Sequence, residues 1–415
     1  MKILSIALAL VMIVGASHAA DWRPGSTESL TWPGLEPLIA VRVPDNYTTN
    51  RKWPIVFHYH TQGMEPNATV PQTYSGNRDF ITVAMAYTNP EPQIFQFERD
   101  FWDREFEILR KIRQHLVDEQ LLVDVERTYV GGDGIGGWYA SYFADIFGNE
   151  LAGVYLTGAG TFGASKFQGS PFRARGKPVY IGAAQLELNF GYALNGKEHF
   201  RRLGGRVTFD EYLGREHLVP VDQVLISERL RQWFQIEGNR TTPEVGRQLV
   251  ADWQKLVEAK VQGLEDPLDL YLLLDDLTTF PFYSALPAEY RGQLEAVRIK
   301  LSGTPSFNDE MNAKKMYQQL MVAETRDFSI ENRRNLAHHY ARMYSKYPET
   351  HFGKKSGVSV IRLRGQVEDP ERFIWQTIKQ REDFIKAVAE NPLPEMPNAK
   401  LIAEMERVAN LIFLN

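Results

Sequence analysis

The sequence predicts an α/β protein: a mostly parallel sheet with flanking helices, followed by an all-helical region. Three observations predict it. From Leu38 to Val219 short β-rich runs alternate with helical patterns, which is the grammar of parallel strands joined by crossover helices. After Pro220 the strand-like runs stop and helical patterns succeed one another. The chain has 415 residues, 43% hydrophobic and 24% charged, which is a globular balance with length for a sizeable core and two or three domains.

The elements follow in order. Leu38 to Val43 reads as a strand stopped by Pro44, Trp53 to His60 as a buried strand, and Phe80 to Ala86 as another. Glu105 to Leu116 places Phe106, Leu109, Ile112 and Leu116 on one helical face. Arg127 to Val130 is a strand that runs into a glycine cluster and an aromatic helix, Trp138 to Phe147. Leu151 to Thr157 and Pro178 to Ala183 are strands, Gly196 to Leu203 is helical, and Arg206 to Tyr212 is the last strand.

Beyond it, Val221 to Ile236 reads as a helix stopped by Gly238. Thr242-Pro243-Glu244 combines a cap, a first-turn proline and an acid, which starts a helix. Asp369-Pro370-Glu371 repeats that grammar. Between them Leu268 to Leu277, Glu289 to Leu301, Met311 to Ala323 and Ile330 to Tyr347 are helical, and Leu401 to Leu414 is a final amphipathic stretch. The expected domains are therefore residues 20–238, α/β, and 239–415, helical.

Residues 1–19 read as a signal peptide. Lys2 precedes an apolar run from Ile3 to Val14, and Ser17 and Ala19 are the small residues before a cut. The run is shorter than the roughly 20 residues of a membrane span, so the expected location is secreted or periplasmic, with no membrane span after cleavage. Lys plus Arg is 47 and Asp plus Glu 52, a net charge of −5, which argues against nucleic acid as a partner. There is no cysteine, which removes disulfides, thiolate metal sites and cysteine nucleophiles. No metal site or cofactor is expected.

Chemistry concentrates at Val130-Gly131-Gly132-Asp133-Gly134-Ile135-Gly136-Gly137-Trp138. Two motifs have this strand–turn–helix setting. The dinucleotide fingerprint is formally present as Gly132, Gly134 and Gly137, but the next strand ends Leu156-Thr157-Gly158, without the acid that would hold a ribose. The nucleophile elbow, G-x-S-x-G, is present as Gly132 and Gly136 flanking position 134.

The surrounding string resembles the α/β-hydrolase family, in particular secreted esterases of the depolymerase and feruloyl-esterase kind. Val123-Asp124, Arg127, Tyr129-Val130, Gly132 and Gly136-Gly137 match the family's elbow. Val43-Pro44-Asp45-Asn46-Tyr47 with Trp53 to His60 is similar to its entry strand. Lys177 to Gly182 leading to Glu187-Leu188-Asn189 resembles the strand and loop of its acid, and Val207 to Tyr212 with Leu213-Gly214-Arg215-Glu216-His217 its histidine loop. The likeness covers roughly residues 35 to 235. It implies that Glu187 is the acid, His217 the base and position 134 the nucleophile. That position is Gly134, which has neither oxygen nor sulfur for a covalent ester. The resemblance also places the oxyanion region at Thr61, Gln62 and Ile135, with Thr61 standing where the family has glycine.

The implied function is a secreted pseudo-hydrolase with a degenerate triad. It would take a small ester-like or carbohydrate-linked ligand in the old cleft, or a protein partner through the helical domain. The rival is an active esterase-like hydrolase that uses activated water or a non-standard nucleophile. The elbow turn calls for positive φ at Gly134, which glycine adopts freely and a residue with a Cβ adopts at a cost of about 1–3 kcal/mol. Other candidates have plainer readings. His58 and His60 share a strand face and read as packing and backbone-bonded histidines rather than a metal pair. Asp133 stands one residue early for an elbow, Ser141 lies too far along its helix, and Tyr340, Tyr344 and Tyr347 form a packing stripe.

Overall fold

A computed structural model describes residues 22–89, 98–162, 174–212, 228–238, 243–278, 283–304 and 306–368, with isolated positions at 94, 280, 379, 382–383 and 386. The chain opens on a hairpin, β1 (Thr27–Trp32) and β2 (Leu35–Arg42). Pro33 and Gly34 make its turn, and Gly34 takes φ 79° there. β1 lies ahead of Leu38, where the first expected strand begins, and is not foreseen by the sequence pattern. This strand alternates exposed and half-buried residues, so it lacks the apolar run that marks the interior strands.

β3 (Trp53–Tyr59), β4 (Ile81–Met85), β5 (Val123–Asp133), β6 (Gly153–Thr157), β7 (Pro178–Ala184) and β8 (Arg206–Tyr212) complete an eight-stranded sheet in the order β1-β2-β4-β3-β5-β6-β7-β8. β2 meets β4 antiparallel, and from β4 to β8 all neighbours are parallel. The predicted mostly parallel sheet is thus present, with the elbow strand β5 at its centre.

Both faces are covered, as a parallel sheet requires. The helices are α1 (Thr69–Tyr74), α2 (Arg99–Asp118), α3 (Ile135–Phe147), α4 (Phe190–Arg202) and α5 (Glu228–Gly238). α2 and α3 bury Trp102, Phe106, Leu109, Phe143 and Phe147 against Ile55, Phe57 and Val130. On the opposite face α5 brings Leu230, Trp233 and Phe234 onto Val56, Phe80, Tyr129 and Tyr155. Alternate residues of β3 serve the two faces, which is the period-two rule of a strand. Of the predicted helix over 221–236, residues 221–227 lie outside the described part. α2 and α4 begin six residues earlier than the sequence pattern indicated.

The helical half begins with α6 (Pro243–Gly263), α7 (Pro267–Leu277) and α8 (Ala288–Leu301), with Tyr283–Ala285 forming a 3₁₀ turn between the last two. They close over Trp253, Val257, Leu274 and Leu294. α9 (Phe307–Glu324), α10 (Ile330–Lys346) and α11 (His351–Glu368) close over Tyr317, Leu336, Tyr340 and Leu363. α11 has no counterpart in the sequence reading. Its two glycines, Gly353 and Gly365, weaken a helical pattern, yet close approach requires them. A Cβ on Gly353 would stand 1.8 Å from the Tyr347 carbonyl oxygen, and one on Gly365 would stand 2.9 Å from the Leu188 side chain. The predicted helices at Asp369 and at Leu401 to Leu414 fall on residues outside the described ones.

The two halves meet beside α4. Tyr192 stacks on Phe328 with ring centroids 4.4 Å apart. Gln366 donates to the Leu188 carbonyl, and Val367 joins the main core. Deeper in the helical half, Glu324 and Arg362 form a fully buried ion pair, and Arg333 and Tyr340 donate to the same glutamate.

Candidate functional site

β5 ends at Asp133 and α3 starts at Ile135. Gly134 alone makes the turn, with φ 55° and ψ −115°. The positive φ expected of an elbow is present. Its N–H donates to the Thr157 carbonyl at 2.8 Å, and its carbonyl accepts from Trp138 at 3.1 Å, the first bond of the helix. The flanking glycines are explained by contact. A Cβ on Gly136 would fall 1.9 Å from the Tyr59 carbonyl oxygen, and one on Gly132 would fall 2.3 Å from the same atom. The start of α3 is therefore pressed onto the end of β3, and only hydrogen fits between them.

Four of the other predicted residues, Thr61, Gln62, Ile135 and Glu187, follow or begin elements near this turn in the sheet order. Thr61 and Gln62 follow β3, which lies beside β5 with Tyr59 opposite Gly132. Thr61 is half-buried and Gln62 exposed. Ile135 is the first residue of α3 and half-buried. Glu187 follows β7, which is separated from β5 by β6 alone, and it is 7% exposed. Gly134, Glu187, Thr61 and Gln62 thus all lie beyond the carboxyl ends of parallel strands, where such sheets place their sites. His217 lies outside the described residues, so the Glu187–His217 contact is not part of the described geometry. Among the described residues no cluster of ligating side chains could hold a metal.

A buried polar network supports the elbow from one face of the sheet. The Asp133 carboxylate accepts from the Tyr74 hydroxyl at 3.1 and 3.2 Å and from the Thr157 hydroxyl. His58 Nε2 lies 3.5 Å from the same carboxylate, and His58 Nδ1 meets the Tyr155 hydroxyl at 2.5 Å. His58 and Asp133 are each 1% exposed. Burial pulls the His58 pKa down from 6.5 to about 4, outweighing the attraction of Asp133. The imidazole is neutral at ordinary pH. Asp133, pointing into this network, is not presented to the outer side of the elbow.

His60 is the residue that the sequence undervalued. Its Nδ1 lies 2.8 Å from the Thr61 carbonyl, which can only accept, so that nitrogen carries the proton. Nε2 is then the basic nitrogen. It is buried, with no hydrogen-bond partner among the described residues. Burial lowers the pKa of this histidine. The Tyr87 hydroxyl donates to the His60 carbonyl and its ring packs edge-on at 4.8 Å. The only signal in the sequence was its place at the end of the strand next to the elbow strand.

No protein-family profile and no curated protein matches this sequence. Among solved structures the chain is similar to a thermostable esterase, at 17% identity over 53% of this chain and 61% of the esterase, with a TM-score of 0.35. That match spans less than two thirds of the esterase's length. The chain is also similar to fluorophosphonate-binding serine hydrolase F of Staphylococcus aureus, at 12% identity over 52% of this chain and 100% of that one, with a TM-score of 0.38. A ferulic acid esterase from Anaeromyces mucronatus aligns at 14% identity over 48% of this chain and 86% of that one, with a TM-score of 0.35.

Proposed function

We propose that this chain is a secreted pseudo-hydrolase: an esterase-like scaffold whose elbow has lost its nucleophile and whose cleft binds a small ester-like or carbohydrate-linked ligand without acylation. The observation that carries the reading is Gly134 at φ 55° between β5 and α3. The turn keeps the geometry in which a serine would be strained, and the residue there has no side chain. Glu187 after β7 fits the order nucleophile, acid, base that the resemblance implies, with His217 as the third member.

A second reading, an active hydrolase that uses water, draws on one observation. His60 Nε2 is unprotonated, buried and unpartnered among the described residues, which suits a general base. Hydrolysis of p-nitrophenyl esters by the purified chain separates the two. The pseudo-hydrolase reading expects no turnover above the rate of a denatured control. Turnover that is lost on His60→Ala or His217→Ala would replace it with the activated-water hydrolase.

A further inference from the structure

A second cleft, of about 470 Å³, runs along β8 at the edge of the sheet, between α4, α5, the side chains of Thr278, Phe280 and Tyr283, and the start of α11. Its volume lies in the range of small-ligand sites. It is remote from the elbow, since β6 and β7 stand between β5 and β8. Its walls are unusual in how their charges are directed.

Lys197 and Arg201 reach it from α4, Arg206 from β8, Arg229 from α5 and Lys355 from α11, against the two lining carboxylates of Glu211 and Glu237. The carboxylates near these cations are engaged elsewhere. Glu211 accepts from Gln185 and from Tyr317. Asp210 accepts from the Tyr180 hydroxyl at 2.6 Å, and Glu237 from Tyr129 at 3.2 Å. Burial also raises the Glu237 pKa to about 7, which thins its charge near neutral pH. Among the described residues Arg201 pairs with Glu198 at 3.4 Å, Lys355 lies 3.6 Å from Glu211, Arg206 3.6 Å from Glu237 and Arg229 3.9 Å from Asp210.

Lys197 has no carboxylate within 4.0 Å among the described residues. Its ammonium sits 5.0 Å from the centre of the Phe209 ring. Burial lowers its pKa, with Arg201 and Lys355 adding to the effect and Glu198 and Glu211 opposing it. Phe209, Trp233, Ile236 and Phe280 supply apolar surface in the same cleft.

We infer that this cleft binds a small organic anion, a flat apolar ring bearing one carboxylate or phosphate, with Lys197 as the ion partner of the acid group and the apolar wall of Phe209, Trp233 and Ile236 against the ring. An anion there gives Lys197 the close counter-charge that no described residue places within 4.0 Å of it, held by a charge-assisted hydrogen bond in a partly dry setting.

The test is ligand-observed fluorine NMR on the full chain. The probes are 4-fluorobenzoate, 4-fluorophenyl phosphate and the neutral isostere 4-fluorobenzamide, and inorganic phosphate serves as a ringless competitor. At least one of the two ring-bearing anions should bind, and which one does identifies the acid group. The amide should not bind, and inorganic phosphate should compete only weakly. Lys197→Gln should weaken the bound anion roughly ten- to a hundredfold, Lys197→Arg should retain most of the affinity, and both should melt with the wild type. Equal binding of the amide, binding indifferent to Lys197→Gln, or no binding of either ring-bearing anion at millimolar concentration would each overturn the assignment. Gly134→Ser should leave this binding unchanged, so the result is separable from the fate of the elbow reading.

Discussion

His58 makes the stability of this protein sensitive to mild acid, and the size of the effect follows from its surroundings. His58 is on β3, between β4 and β5 in the sheet order, and its ring is stacked on Tyr155 and edge-on to Tyr74, with Asp133 at 3.5 Å. Asp133 favours the charged ring and His60 opposes it, but burial outweighs both and brings the pKa from 6.5 to about 4. Above about pH 6.5 the imidazole is neutral in the folded and unfolded chain alike, and it costs nothing. Between that pH and about 4 the unfolded chain takes up the proton first, so folding loses ground as pH falls. The full loss is about 3 kcal/mol, and about 2 kcal/mol of it is incurred between about pH 7 and about pH 5. Urea unfolding at those two pH values should therefore show wild type losing about 2 kcal/mol more than His58→Gln, which removes the titrating group while keeping polar atoms in the network. Parallel pH dependences for the two proteins would refute the reasoning, because a ring free to protonate in the fold contributes no such term.

Other expectations rest on separate features. Gly136→Ala places a methyl 1.9 Å from the Tyr59 carbonyl oxygen, so α3 must shift from β3; chemical unfolding should register a loss of about 1–3 kcal/mol or outright failure to fold. Glu324→Gln leaves Arg362 buried without its counter-ion, and should cost about 3–5 kcal/mol. The double replacement Glu324→Leu with Arg362→Met should cost less than the sum of the singles, which a double-mutant cycle measures. Gly134→Ser puts a Cβ at φ 55° and should lower stability by about 1–3 kcal/mol, seen as a lower melting temperature.

The sheet was legible because its interior strands are nearly continuous apolar runs, and β3, β4 and β6 are buried along their whole length. β1 escaped because an edge strand with one wet face carries a weak pattern. α11 escaped because Gly353 and Gly365 serve close packing, and packing partners distant in sequence leave no periodic trace. At the site, the spacing of Gly132, Gly134 and Gly136 foretold a positive φ correctly, since only a tight strand-to-helix turn needs that pattern. The network of His58, Asp133, Tyr74, Thr157 and Tyr155 could not be read, because its members come from three strands and a helix. The basic nitrogen of His60 depends on one carbonyl contact, which sequence does not specify.

The proposal that position 134 is an elbow without a nucleophile is tested most directly by reaction with a fluorophosphonate probe, read by mass spectrometry of the labelled peptide. The wild-type chain should remain unlabelled on Ile135 to Trp138 and on Gly134, since no hydroxyl stands at the turn. Gly134→Ser should gain the label at residue 134 while melting at a lower temperature. Labelling of the wild type at a serine or threonine elsewhere, accompanied by ester turnover, would contradict the account and place the nucleophile outside the elbow.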